Sequence, residues 1–279
     1  MGIKRQRTLS HALTYLLLFL GLLLVTVPFW YMLVTSFKPQ SYIFEMPPRL
    51  WPEEFTLKNY VDALTRDHFD LYFLNSVFVA VISTFSTVLI SSMMAYAFAR
   101  MQFRGKNILF YVILLGMMIP SVTLLIPQFI VAKNLDLVNK FSGLILVYIT
   151  MNVSQQTFLL RGFFEGIPKE IEEAALMDGA GRWTIFSRII LPLSKPGLAA
   201  VTIFTFLYCW DEFAWAQVMM TETTRRTLPI GIALFQSQHL TRWGLVFAAS
   251  IISFIPVLLV FIIFQKHFIK GISTTGLKG

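Results

Sequence analysis

Charge is scarce in this sequence. Only 14% of its 279 residues are Asp, Glu, Lys or Arg, where a soluble domain carries about a quarter. Cysteine is scarcer still. Cys209 stands alone, which excludes an intrachain disulfide and a cysteine metal cluster. Its setting, FLYCWDE, is apolar and reads as an inert buried thiol. The four histidines show no ligand spacing, and His11 and His239 lie near the ends of apolar runs, so no metal site is expected. Internal repeats and low-complexity stretches are missing too. What fills the space is 56% hydrophobic residue, and this balance points to a membrane protein, which the spans below make an all-α membrane protein. A net charge of +8 in a soluble chain would raise nucleic acid as a partner. Here the basic residues sit at the ends of apolar runs, which argues against it.

A bilayer core of about 30 Å takes about 20 apolar helical residues to cross. Six stretches qualify: Thr8 to Phe37, Leu71 to Ala99, Asn107 to Ala132, Phe141 to Leu160, Pro196 to Thr221 and Trp243 to Gln265. The fifth is interrupted by Asp211 and Glu212. All six are read as helices, because lipid leaves an open chain no other option. MGIKRQR and the run after it resemble a secretion signal, but the run is too long and no small-residue cleavage site follows, so a retained first span is expected. Six spans put both termini on one side. That side holds 14 of the 23 Lys and Arg residues, most densely around MQFRGK and residues 161–195. The richer side is cytoplasmic by the positive-inside rule.

The expected organisation is a first span and external segment (1–70), a core of five spans (71–266) carrying a loop at 165–192, and a cytoplasmic tail (267–279). In the external segment, PPRLWPEE reads as extended, and FTLKNYVDALTRDHF as helical from Leu57, Tyr60, Val61 and Leu64. It suits a cap over the outer mouth or a contact for an external partner.

The loop between spans four and five is unlike its surroundings. Pro168 fits a first helical turn. Ile171, Ala174, Ala175 and Met177 then alternate with Glu170, Glu172 and Glu173, the acids falling in early turns where the helix dipole favours them. Asp178-Gly179-Ala180-Gly181 breaks the helix, and Gly179 fits a left-handed stop. A second helix is expected from Arg182 to Ile190, ended by Pro192 and Pro196. Two readings stand: a plug that docks into a cytoplasmic protein, with Glu172 and Glu173 meeting a basic partner, or an amphipathic helix on the headgroups. The acids oppose the second, since that leaflet is anionic.

Glu173-Ala174-Ala175, then Gly179, then Ile189, Leu191 and Pro192 at their intervals resemble the EAA loop of ABC importer permeases. The Asp178-Gly179-Ala180 form is similar to that of the carbohydrate subfamily, the relatives of the maltose permease MalG. NSVFVAVISTF, AYAFARMQFRG, LRGFFEGIPKEIEEAA and QKHFIKGISTTGLKG resemble it as well. The resemblance covers about Leu71 to Gly279. It implies a type I ABC importer transmembrane domain in the bacterial inner membrane, paired with a second, homologous permease. It further implies a cytoplasmic ATP-binding subunit dimer, docked on Glu172, Glu173, Ala174, Ala175, Asp178, Gly179 and Ala180, and an extracytoplasmic substrate-binding protein. ATP and Mg would be bound by the ATPase, with no cofactor and no catalytic residue in this chain. The tail GISTTGLKG has the glycine gap of a phosphate loop, but Leu277 stands where the lysine belongs and no strand precedes it.

Asp211 and Glu212 are acids within a span, and such acids face a cavity or a partner. One reading lets one of them accept hydrogen bonds from substrate hydroxyls, with Trp210 or Trp215 stacking on a sugar face. The other pairs them with Arg225 or Arg226 near the outer surface. The family's Trp-Asn is Trp210-Asp211 here. Asn75, Ser76, Ser83, Thr84, Ser91 and Ser92 form a polar track along the second span, either an interhelical seam or a pore lining. Pro28, Pro120, Pro127 and Pro256 interrupt spans and either bend them or are simply tolerated. The reading adopted is the membrane subunit of an ATP-driven sugar importer. Glycerol phosphate or a polyamine are rival cargoes, and an ATP-independent channel or secondary carrier is the rival class.

Overall fold

The computed structural model describes residues 2–40, 43, 47, 49–65, 68–236 and 241–275. All regular elements among them are helical. In chain order they are α1 (Gly2–Ser36), α2 (Lys58–Thr65), α3 (Phe69–Arg100), α4 (Lys106–Met118), a 3-10 turn (Ser121–Leu124) and α5 (Leu125–Asn134). Next come α6 (Phe141–Glu165), α7 (Lys169–Met177), α8 (Arg182–Ile185), a π-helical turn (Phe186–Ile190) and α9 (Leu191–Leu193). The series ends with α10 (Lys195–Asp211), α11 (Ala214–Met219), α12 (Leu228–Leu234) and α13 (Trp243–Thr275).

Four helices are each long and apolar enough to cross a bilayer: α1, α3, α6 and α13. Two bent pairs bring the number to six, Lys106–Met118 with Ser121–Asn134 and Arg182–Leu193 with Lys195–Asp211. The third span is therefore not the single helix expected over Asn107 to Ala132, because it turns by 96°. The cause is Pro120: it forces Ile119 out of the helical region, to φ −82° and ψ 120°. Pro28 and Pro256, in contrast, lie inside unbroken helices. The fifth span stops at the acids, as its composition suggests. Glu212 is extended at ψ 121°, and α11 follows as a separate short helix.

The chain forms two compact units, Met1–Phe69 with Ile232–Ser253 and Asp70–Gly231 with Phe254–Gly279. In the first, Asn59 Nδ2 donates to the carbonyls of Ser36 (2.9 Å) and Lys38 (2.8 Å), satisfying acceptors that the end of α1 leaves open. Phe37 stacks on Phe55, and Lys38 Nζ donates to the Arg49 carbonyl. Helix α2 lies where expected but buries Ala63, leaving Leu57, Val61 and Leu64 exposed.

In the second unit, Ala95 and Tyr96 of α3, Leu160 and Phe164 of α6, Ile185, Phe186 and Ile190, and Val201 of α10 form one core. Three members of the polar track of α3, Asn75, Ser76 and Ser91, tie it to other segments, while Ser92 Oγ donates within α3 to the Val88 carbonyl. Asn75 Nδ2 donates to the carbonyls of Thr224 and Arg226, Ser76 Oγ accepts from Leu228 N, and Ser91 Oγ donates to the Val153 carbonyl. The α5–α6 turn is held from outside itself. Asn139, at φ +58°, accepts from Thr221 N (2.7 Å) and Glu222 N (3.0 Å), while its own N–H donates to the Met219 carbonyl. Asn139→Ala removes the side-chain bonds and puts an unfavourable residue at positive φ. It is expected to cost about 2 kcal/mol, measured as a fall in melting temperature in detergent, with Asn139→Asp losing less.

Candidate functional site

The segment from Pro168 to Leu193 forms a helix, an elbow and a broken helix. Pro168 precedes α7 with φ −55°, and Glu170 and Glu172 occupy the first turn. The elbow closes as a Schellman motif. Ala180 N donates to the Ala175 carbonyl (2.9 Å) and Gly179 N to the Leu176 carbonyl (3.0 Å), with Gly179 at φ +81°, a conformation that favours glycine. Ala175 and Ala180 both pack on the core, which fixes the elbow from below. The second helix differs from the expected single run over Arg182 to Ile190. It widens into a π turn at Phe186–Ile190 and resumes at Leu191, so that Phe186 and Ile190 both reach the core.

The outward face of this segment is apolar at its tip. Met177 is 88% exposed, Trp183 64% and Leu176 48%, with Ala174 and Glu173 exposed beside them. Asp178 is exposed as well. Glu172 turns the other way. Its Oε1 lies 2.8 Å from Arg100 Nε, off hydrogen-bond alignment, so the contact is Coulombic. The two neighbouring acids therefore divide: Glu172 is held within the chain, and Glu173 is left on the surface. Sequence reasoning had grouped them. The signal that separates them is helical phase, since residues one apart point about 100° from each other.

The residues expected to line the pathway are largely structural in this conformation. Glu212 caps α11, with Oε1 accepting from Trp215 N (2.8 Å) and Oε2 from Ala216 N (3.0 Å) and from Tyr148 Oη (2.9 Å). Neither acid pairs with Arg225, which lies over the Phe141 ring, or with Arg226, which reaches the Thr221 carbonyl. Trp210 is 2% exposed between Phe206 and Phe73, and Trp215 is 3% exposed, so neither presents a ring face to a ligand. Asn75 is spent on the two carbonyls already named. Only Asp211 of the five is exposed. Glu212→Ala is expected to fray α11 and cost about 1–2 kcal/mol of stability, read from thermal unfolding in detergent.

A cavity of about 560 Å³ was not foreseen. It opens at the Pro120 bend, and its polar lining comes from Ser121, Gln128, Thr150, Ser154, Gln155 and Tyr208. Among the described residues, no Asp, Glu, Lys or Arg lines it. These residues are spread over four elements, so the bend had to be known before they could be grouped.

Apolar helices long enough to cross a bilayer, with a surface elbow ahead of the bent fifth span, define a polytopic membrane protein. The chain belongs to the family of binding-protein-dependent transport system inner membrane components, whose profile matches residues 87–274. It is 36% identical over 272 residues to the diacetylchitobiose uptake system permease protein NgcG of Streptomyces coelicolor, covering 97% of this chain and 88% of that one. It is also 36% identical over 278 residues to the trehalose/maltose transport system permease protein MalG of Thermococcus litoralis, covering 97% and 99%. The fold is similar to that of a bacterial ABC transporter involved in the import of alginate, with a TM-score of 0.81 at 23% identity over 95% of this chain and 98% of the other.

Proposed function

We propose that this chain is the membrane subunit of an ATP-driven importer for a sugar or oligosaccharide. It forms half of the translocation pathway beside a second permease and takes cargo from an extracytoplasmic binding protein. A cytoplasmic ATPase dimer docks on residues 168–193. Both termini and this segment face the cytoplasm, in keeping with the 14 basic residues on that side. The observation that carries the reading is the stiff elbow at Gly179, with Met177 and Trp183 exposed around it. A motor needs such a handle, whereas a carrier without ATP has no use for one. Closure of the ATPase around nucleotide favours one arrangement of the bundle over another, and so shifts its population. The hydrolysis belongs to the partner, which holds ATP and Mg.

Cargo follows from chemistry. The uncharged amides and hydroxyls of the 560 Å³ cavity suit a neutral polyol better than a phosphate or a polyamine. The test is uptake by vesicles holding both permeases, with and without the ATPase and the binding protein. Maltose, trehalose, diacetylchitobiose, glycerol 3-phosphate and spermidine serve as probes. Sugar uptake that requires ATP and both partners is expected. Uptake by the permeases alone would mean a carrier, and preference for the phosphate or the polyamine would overturn the cargo.

A further inference from the structure

Arg100 is the last residue of α3, and its side chain is 4% exposed. Its Nη2 donates to the carbonyls of Phe164 and Ile167, and its Nε faces Glu172 at 2.8 Å. Phe164 lies in the last turn of α6, where its carbonyl also accepts a turn bond from Ile167 N (3.2 Å) and the helix dipole favours a cation. Glu172 lies in the first turn of α7, with its side chain 13% exposed. One guanidinium therefore joins the end of α3, the end of α6 and the start of the surface segment. A guanidinium holds five donors in a rigid planar fork, a geometry that an ammonium on a flexible stem does not match.

The groups around the pair are few. Tyr96, one turn back on α3, is 6% exposed and stands near Glu172 and Arg182. Its ring packs on Phe186 at 5.2 Å, which ties the same point to the π turn. Glu173 lies on the surface. A buried charge cannot leave its partner cheaply, so a displacement of α7 drags Arg100 and the ends of α3 and α6 along.

We propose that the Arg100–Glu172 pair is the latch that transmits movement of α7 into α3 and α6, with Arg100 as a positioning residue. The proposal rests on the reading that a nucleotide-driven partner moves α7. The experiment is hydrogen–deuterium exchange on the assembled importer in vesicles, without nucleotide and trapped with Mg-ATP and vanadate. No cargo is needed. In the native complex, exchange is expected to change both in α7 and at residues 96–100, the latter by about tenfold, an ordinary coupling strength. In Glu172→Gln and Arg100→Lys, α7 still responds while residues 96–100 change less than about twofold, and the double swap Arg100→Glu with Glu172→Arg recovers part of the response. A merely structural role would lower exchange protection equally in both nucleotide states. If α7 responds and residues 96–100 follow it undiminished in both single variants, the latch is wrong and the docking reading stands. If α7 is unresponsive in the native complex, the docking reading fails and takes the latch with it.

Discussion

Charge reversal at Glu173, as Glu173→Lys, is expected to cut ATP-driven uptake by about a hundredfold while leaving the amount of protein in the membrane unchanged. Both halves follow from the position of the side chain. Glu173 is exposed on α7, and its carboxylate meets no group of its own chain among the described residues. Folding gains no side-chain contact from it and at most a few tenths of a kcal/mol from the helix dipole, so the fold is expected to survive the change. A lysine there would repel the basic residue that a docking partner must offer, and a wrong-sign contact at an interface is worse than none. Glu172→Lys fails differently. It sets a second cation against buried Arg100, and the chain itself is damaged. Uptake, ATPase pull-down and membrane yield, measured side by side, separate the two. The Glu173 variant is expected to lose the first two and keep the third, and an acidic substitution in the ATPase pocket should restore part of the loss. The Glu172 variant is expected to lose all three. Full uptake with Glu173→Lys would remove the docking role from this residue.

The elbow was legible because short-range rules write it. Proline at the entrance, acids in the first turn and glycine at the exit are each fixed by backbone sterics or dipoles within a few residues. The structure differs at Phe186–Ile190, a π turn from which Phe186 and Ile190 both reach one core, and at Pro192, which does not end the helix but lies inside its last turn, Leu191–Leu193. Propensity does not register packing of that kind. Spans one, two, four and six were legible from hydropathy, which counts residues without asking how they pack. The 96° bend at Pro120 was not, because proline inside an apolar run bends some helices and leaves others whole, as Pro28 and Pro256 show.

The pathway residues were the least legible part. An acid in a span signals a constraint, and the sequence does not say whether the constraint is cargo or architecture. Glu212 turns out to serve the open N–H groups of α11, and Trp210 serves an aromatic stack, because each finds its partner within its own fold. The Arg100–Glu172 pair was missed for the opposite reason. Its members are 72 residues apart, and nothing local marks either as buried.

The largest loss of stability is expected from the smallest change, Gly143→Ala. A β-carbon at Gly143 would clash with the carbonyl oxygen of Leu137 and stand 3.0 Å from its Cβ. Relief requires the backbone at Leu137 to move, and that backbone is pinned on both sides. Leu137 N donates to the Ala132 carbonyl at 2.8 Å, and Asn139, two residues on, is tied to Met219, Thr221 and Glu222. Overpacking against a fixed backbone costs about 3 kcal/mol. Gly197→Ala is the control. Its β-carbon would meet the ring of Phe163 at 2.6 Å, which is closer than contact allows. The atoms met include Cγ and, at 3.1 Å, Cβ of Phe163, so turning the ring is not enough and the whole side chain must swing aside; Phe163 is 38% exposed and has room for that, so a smaller cost of about 2 kcal/mol is expected. Thermal unfolding of the two variants in the same detergent checks the difference. A Gly143→Ala protein as stable as Gly197→Ala would mean that the turn at residues 135–140 yields, and that Asn139 does not hold it as its hydrogen bonds imply. If the order is as expected, Asn139→Ala combined with Gly143→Ala should lose less than the sum of the two, because freeing the turn gives the new methyl group somewhere to go.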